Sequence, residues 1–202
     1  QRGVSCADCH MPYNSEGGIK YSDHQIMSPL KKVDKTCQVC HRDSEEKLIN
    51  YVYEIQDKAN EIRNRVEVEL SKAHLLAKVA WDHGASEQEM EKTLQLLRQS
   101  QWRWDFAVAT HGGSFHAPIE IQRILAHSLD RAMQAQLEVQ QVLFAHHVTD
   151  VTLPDISTKE KAQTFLGLDI PKERKAKDDW INTVVPQWIE DAKQHDKIIA
   201  ER

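Results

Sequence analysis

The chain has 202 residues, 28% charged and 40% from the apolar set, a balance that suits one compact domain or a large part of a bigger protein. A net charge of −5 gives no basic footprint for nucleic acid or for an acidic membrane surface. No apolar run approaches the roughly 20 residues that cross a bilayer, so no membrane span is expected.

Residues 1–43 hold all four cysteines and show little helical periodicity. A segment with so little core of its own needs some other apolar mass to fold around. From Asp43 the pattern changes. Asp43 with Glu46 reads as a capping-box start. Behind it Leu48, Val52, Ile55, Ala59, Ile62, Val66, Leu70, Ala73 and Ala77 recur every three or four residues, the stripe of a long helix closing near Gly84. Ser86 and Glu89 form a second capping box, and its helix runs through Met90, Leu94, Leu97, Trp104 and Val108 to the Gly112-Gly113 break. Pro118 fits the first turn of a third helix, which carries Ile121, Leu125, Leu129, Ala132 and Leu143 and ends near His146.

Three long helices joined by short connections predict antiparallel packing. Of the two neighbouring tryptophans, Trp102 and Trp104 cannot share a helix face, so one belongs to the core and the other to a surface. Residues 148–156 read as extended. Ser157 with Glu160 opens a short helix that stops at Gly167, and a last helix covers roughly 172–199, interrupted or kinked at Pro186, with Trp180 and Trp188 as core anchors. Strand content should be close to nil.

The chemistry lies in two motifs, Cys6-Ala7-Asp8-Cys9-His10 and Cys37-Gln38-Val39-Cys40-His41. In C-x-x-C-H, two thiols add across the two vinyl groups of haem, and the adjacent His falls beneath the iron as proximal ligand. Every cysteine of the chain belongs to such a motif. A zinc site fits less well: paired C-x-x-C units of zinc sites are usually roughly 15–20 residues apart. Here 27 residues separate Cys9 from Cys37, and His10 and His41 would be accidental. Disulfides leave both histidines unexplained as well. The sequence therefore predicts two covalent c-type haems, with Cys6, Cys9, Cys37 and Cys40 as attachment points. This assigns 1–43 as a haem-binding segment, 44–147 as a long-helix bundle and 148–202 as a C-terminal extended segment with helices. The fold class is mainly α, an irregular haem-binding N-terminal segment followed by long antiparallel helices.

With His on both faces an iron is saturated and suited to electron transfer, whereas an open position is needed to bind a substrate. Among the remaining histidines, His24 in Ser22-Asp23-His24 and His116 in Gly112-Gly113-Ser114-Phe115-His116-Ala117-Pro118 are the axial candidates. The glycines at the second site let backbone approach a flat macrocycle. His111 is a weaker candidate, and His74 suits a core or interface position. His83, His127, His146, His147 and His195 read as surface or capping residues.

Taken together, Cys6-x-x-Cys9-His10-Met11-Pro12, Tyr21-Ser22-Asp23-His24 and Cys37-x-x-Cys40-His41 resemble the carboxy-terminal half of the pentahaem, ammonia-forming cytochrome c nitrite reductases. Gln101-Trp102-Arg103-Trp104-Asp105, His116-Ala117-Pro118, the stretch from Leu153 to Gln163, and Val185-Pro186-Gln187-Trp188 look like that family too. The resemblance implies that Cys6, Cys9 and His10 form the fourth haem site in chain order, and Cys37, Cys40 and His41 the fifth. It implies His116 as distal ligand of the Cys6/Cys9 haem and His24 as distal ligand of a haem attached upstream. It further implies a periplasmic homodimer joined through the long helices, a quinol-linked or small cytochrome donor, and nitrite as substrate of the full enzyme. Five haems and a calcium ion would complete that enzyme, with the calcium ligands outside this chain.

The family's catalytic haem is held by C-x-x-C-K, which this sequence lacks, so no catalytic residue is expected here. A Gln at position 1 and a haem motif five residues later predict a piece of a longer protein or a chain whose leader was removed. Alone, the chain should not turn over nitrite. The competing readings are a stand-alone dihaem carrier and part of another multihaem reductase.

Overall fold

A computed structural model of the chain describes residues 3–200. These fall into two compact units, one ending at Val151 and the other beginning at Thr152.

The first unit opens with a single helical turn, α1 (Cys6–His10), followed by a hairpin of β1 (Tyr13–Glu16) and β2 (Ile19–Ser22). The strands pair antiparallel from Tyr13↔Ser22 to Glu16↔Ile19 across Gly17-Gly18, and Gly17 takes φ +60°. Two glycines suit the left-handed backbone that a tight hairpin loop demands. The sequence reading expected almost no strand, and this short hairpin is the exception among the described residues. Two 3-10 turns follow, Pro29–Lys31 and Cys37–Val39.

The bulk of the unit is three helices, α2 (Glu45–Asp82), α3 (Glu87–Ala109) and α5 (Pro118–Ala145), with the short α4 (Gly113–His116) between the last two. The chain is mainly α-helical, as its periodicity predicts. The start of α2 differs by one residue: Ser44, not Asp43, is the N-cap and accepts from the Lys47 N–H at 3.3 Å. Asp43 is left free to pair with the Lys47 ammonium at 2.7 Å. The Ser86/Glu89 capping box of α3 and Pro118 in the first turn of α5 stand as predicted.

Successive long helices run antiparallel. Residue contacts fix the register: Ser100 on α3 meets Ser128 on α5, Lys92 meets Glu138, and Glu89 meets His146. Gln136 on α5 reaches Glu69 on α2. The apolar stripes meet in a core that includes Val66, Leu70, Ala73, Met90, Leu97, Leu125, Ala132, Val139 and Leu143, all under one-tenth exposed. Fully burying one such large side chain is worth about 1.5–3 kcal/mol. Trp104 packs against the Ala59–Val66–Ile121–Leu125 cluster, while Trp102 is 73% exposed, the division the sequence predicts. Val108, assigned to the α3 stripe, is instead exposed, because the buried part of α3 ends near Ala107.

The second unit holds α6 (Lys159–Phe165) and α7 (Ile170–Ala200). Residues 152–156 form no regular element. Thr158, one residue after the expected Ser157, caps α6 by accepting from the Lys161 N–H at 3.3 Å. The Ser157 N–H is already taken by the Asp155 carboxylate at 2.8 Å. Gly167 ends α6 in the left-handed region as predicted. Helix α7 starts two residues earlier than predicted and continues through Pro186. Trp180 and Trp188 are not core anchors: both are about half exposed and stack edge-to-face on each other at 5.3 Å.

Candidate functional site

The first C-x-x-C-H forms one capped helical turn. Ser5 accepts from the Asp8 N–H, and the Asp8 carboxylate accepts from the Ser5 N–H at 2.6 Å and the Ser5 hydroxyl at 2.8 Å. The motif's own intervening residue thus closes a capping box around it, and these bonds from Ser5 hold the Asp8 carboxyl below its usual range. Cys6 and Cys9 stand at i and i+3 on this turn, the spacing at which side chains become neighbours. His10 follows in its last residue.

The His10 ring is oriented by a backbone carbonyl. Its Nδ1 lies 2.9 Å from the Met27 oxygen. A carbonyl can only accept, so Nδ1 carries a proton, and in the neutral ring Nε2 keeps its lone pair for a metal. This is the tautomer a ligating imidazole needs, with the second nitrogen donating to an outer partner.

His116 comes to the same place from the opposite part of the sequence. Gly112, at φ +71°, ends the α3 excursion and turns the chain into α4, whose last residue is His116. The His10 and His116 ring centroids stand 6.0 Å apart. An imidazole nitrogen bonds a metal at about 2.0 Å and sits roughly 1.1 Å from its ring centre, so two imidazoles on opposite faces of one metal have centroids about 6 Å apart. The observed spacing leaves room for an iron.

Both rings line a cavity of about 500 Å³, whose wall also includes Cys9, Cys37, Leu30, Val52 and Phe115. His111 lies on this wall as well. Burial pushes the Cys9 thiol up, and neighbouring Cys37 adds to the effect, so Cys9 is held as S–H. A largely apolar cavity with a thiol, a correctly protonated imidazole and a second imidazole at ligand spacing fits a covalent haem.

The remaining predicted residues are less gathered. Cys6, Cys40, His24 and His41 are exposed. The second motif forms the 3-10 turn Cys37–Val39, closed by the His41 N–H donating to the Cys37 carbonyl at 2.8 Å. Thr36 anchors it from within, donating to the Lys32 and Pro29 carbonyls. Cys37 reaches the cavity of the first motif, so the two motifs adjoin. Among the described residues, no three His, Cys, Asp or Glu side chains converge as a single metal cage, and the four thiols form no zinc-type cluster.

Comparison with known proteins decides the family. Residues 1–197 match the family described as cytochrome c552. The chain belongs to the cytochrome c552 family. It is 63% identical over 199 residues to a cytochrome c-552 of Bacteroides fragilis, an alignment covering 98% of this chain and 40% of that protein. The cytochrome c-552 of Bacteroides thetaiotaomicron is 65% identical over the same coverage, and that of Haemophilus influenzae 45% identical over 196 residues, covering 96% and 36%. The chain thus spans about 40% of the length of the curated relatives it matches. A solved structure, the cytochrome c nitrite reductase of Desulfovibrio desulfuricans, superposes with a TM-score of 0.63 at 28% identity, covering 74% of this chain and 33% of that one.

The Cys and His residues of the two motifs are legible in sequence, but the group that orients His10 is not. The Met27 acceptor is a main-chain oxygen, which any residue would supply. His74, expected in a core or interface, is exposed and 3.4 Å from the Gln101 side chain. His83 and His146 do act at helix ends, on the Val79 carbonyl and on Glu89.

Proposed function

We propose that this cytochrome c552 chain is the electron-relay portion of a nitrite reductase that converts nitrite to ammonium. In this reading Cys6, Cys9 and His10 hold one haem c, with His116 as its distal ligand. Cys37, Cys40 and His41 hold a second, and exposed His24 serves a haem attached elsewhere in the whole protein. When bound, the haems carry single electrons; a six-electron reduction benefits from several of them closely packed.

The observation that carries the reading is the His10–His116 pair at 6.0 Å across a cavity walled by Cys9 and Cys37. Two imidazoles per iron leave no position for substrate, which suits relay rather than turnover. The chain's own groups supply what a relay needs: thiols for attachment, a carbonyl that fixes the His10 tautomer, and an apolar wall that limits water. The likeness to a cytochrome c nitrite reductase supports nitrite reduction as the reaction of the whole protein. The catalytic haem and the calcium ligands would then lie outside this chain, as would the site for nitrite.

The same reading makes the whole protein a periplasmic homodimer, joined through the long helices and fed by a quinol-linked or small cytochrome donor. No described helix is long and apolar enough to cross a membrane.

An alkaline pyridine haemochrome spectrum with independent protein quantification tests the proposal. About two haems c per chain, resistant to acid-acetone extraction, are expected. A chain matured in a host that attaches haem c, yet carrying none, would overturn it.

A further inference from the structure

Asp23 follows β2 and is 7% exposed. A carboxylate buried to that degree is stable where donors surround it. Its Oδ2 accepts from the Lys32 ammonium at 2.6 Å and from the Asn14 amide at 3.1 Å, and its Oδ1 accepts from the Gln25 N–H at 2.9 Å. The Asp23 N–H donates to the Pro12 carbonyl at 2.9 Å. Lys35 steadies Asn14 from its other end, donating to Oδ1 at 2.7 Å. One carboxylate therefore fastens the stretch after His10, the start of the following loop and that loop's far end.

Two features of the loop closed by the Asp23–Lys32 pair matter. One is His24, covalently next to the knot and exposed. The other is Met27, whose carbonyl receives the His10 Nδ1–H at 2.9 Å. The loop's own bonds are lesser anchors: the Met27 N–H reaches the His10 carbonyl at 3.5 Å, and the Ile26 N–H donates to the His24 carbonyl within the loop. Charge-assisted bonds are roughly twice as strong as neutral ones, so the ion pair is the strongest single tie across the loop.

We propose that Asp23, held by Lys32 and Asn14, is a positioning residue that sets the axial ligands of two different haems at once. Through the Met27 carbonyl it fixes the orientation and electron-donating strength of His10, and through the adjoining backbone it fixes the presentation of His24. The inference rests on the haem reading above. A hydrogen bond from the outer nitrogen of a ligating imidazole raises that ligand's basicity. Loosening the loop weakens this bond, leaves the ferric iron less well stabilised and moves that haem's midpoint potential in the positive direction.

The test compares the haem-loaded wild-type protein with Lys32→Met, Lys32→Arg and Asn14→Ala. The readouts are haem count, low-temperature EPR of the low-spin haems and spectroelectrochemical titration. In the whole protein with all its haems, Lys32→Met should shift two low-spin signals, those of the haems served by His10 and His24, and move the His10 haem's midpoint positive with the haem count unchanged, and Lys32→Arg should restore them. Asn14→Ala, which keeps the ion pair, should give a smaller shift in the same direction. It carries the test by itself if Lys32→Met does not load haem. Unchanged EPR and midpoints in the loaded variants would overturn this inference and leave the haem reading standing. A wild-type protein without covalent haem would overturn both.

Discussion

The His10 and His116 rings, 106 positions apart in sequence, stand 6.0 Å apart on the wall of one cavity. Neither ring is placed by the other. His10 is held by the Met27 carbonyl and the α1 turn, and His116 by the Gly112–Gly113 corner and the start of α5. Two independently placed imidazoles at metal-spanning distance make a sharp prediction.

On the proposed haem reading, His116→Ala should leave covalent attachment intact, because Cys6 and Cys9 would form the thioethers. One haem should lose its low-spin signature and appear high-spin, visible in EPR and in the optical spectrum. The haem count by pyridine haemochrome should stay at the wild-type value. An unchanged spin state would assign the distal position to another residue, with His111 on the same wall the first to examine.

The corner that carries His116 is intolerant of side chains. A Cβ at Gly113 would lie 2.8 Å from Thr110 Cγ2 and 3.0 Å from Ile121 Cδ1. Gly113→Ala should cost about 1–3 kcal/mol by overpacking. At Gly112 the backbone is left-handed, φ +71°, and a Cβ would meet the His116 ring at 3.1 Å. Gly112→Ala should cost about 1–2 kcal/mol from backbone strain and also displace the His116 ring. Chemical denaturation separates the two: both variants lose stability, and only Gly112→Ala should disturb the haem spectrum beyond what its stability loss explains.

Much of this was legible in the chain itself. The α2 stripe from Leu48 to Ala77, the Ser86/Glu89 box and Pro118 place the three long helices, because periodicity and capping are local. The histidines next to the cysteines are local as well. What sequence could not supply is non-local or main-chain. The Gly17-Gly18 hairpin leaves little pattern to read, because its strands are only four residues each and lie among irregular segments. The Met27 carbonyl has no side-chain signature. Residue type points Trp180 and Trp188 to a core, but α7 buries no residue and the two rings pack edge-to-face on each other instead.

The α3–α5 contact contains a buried reciprocal pair. The Ser100 hydroxyl donates to the Ser128 carbonyl at 2.8 Å, the Ser128 hydroxyl donates to the Ser100 carbonyl at 2.8 Å, and both residues are fully buried. Each carbonyl also serves its own helix, so removing a hydroxyl strands no charged group. Either Ser→Ala change should cost about 1 kcal/mol. The double variant should cost less than the sum, because the two hydroxyls also touch at 3.1 Å. A thermal or urea double-mutant cycle measures this; strict additivity would show that the two bonds act independently.

Acid should weaken the α3 N-terminus in a defined window. The Ser86 hydroxyl donates to the Glu89 carboxylate at 2.6 Å and the Ser86 N–H at 2.7 Å, and His146 lies 3.1 Å from its other oxygen. The Ser86 bonds, with His146 adding to them, hold the Glu89 carboxyl down to about 2, from an ordinary value of 4.5. Because the folded value is the lower one, the unfolded chain takes up the proton first as pH falls. The stabilisation is therefore complete above about pH 4.5 and is lost as pH falls from there towards 2. Glu89→Gln keeps an oxygen that can accept both Ser86 bonds and removes the charge. The stability difference between wild type and Glu89→Gln, followed by denaturation at a series of pH values, should shrink steadily as pH falls below about 4.5. A difference that stays level down to pH 2 would mean that the cap works through geometry alone, with the carboxylate charge contributing nothing.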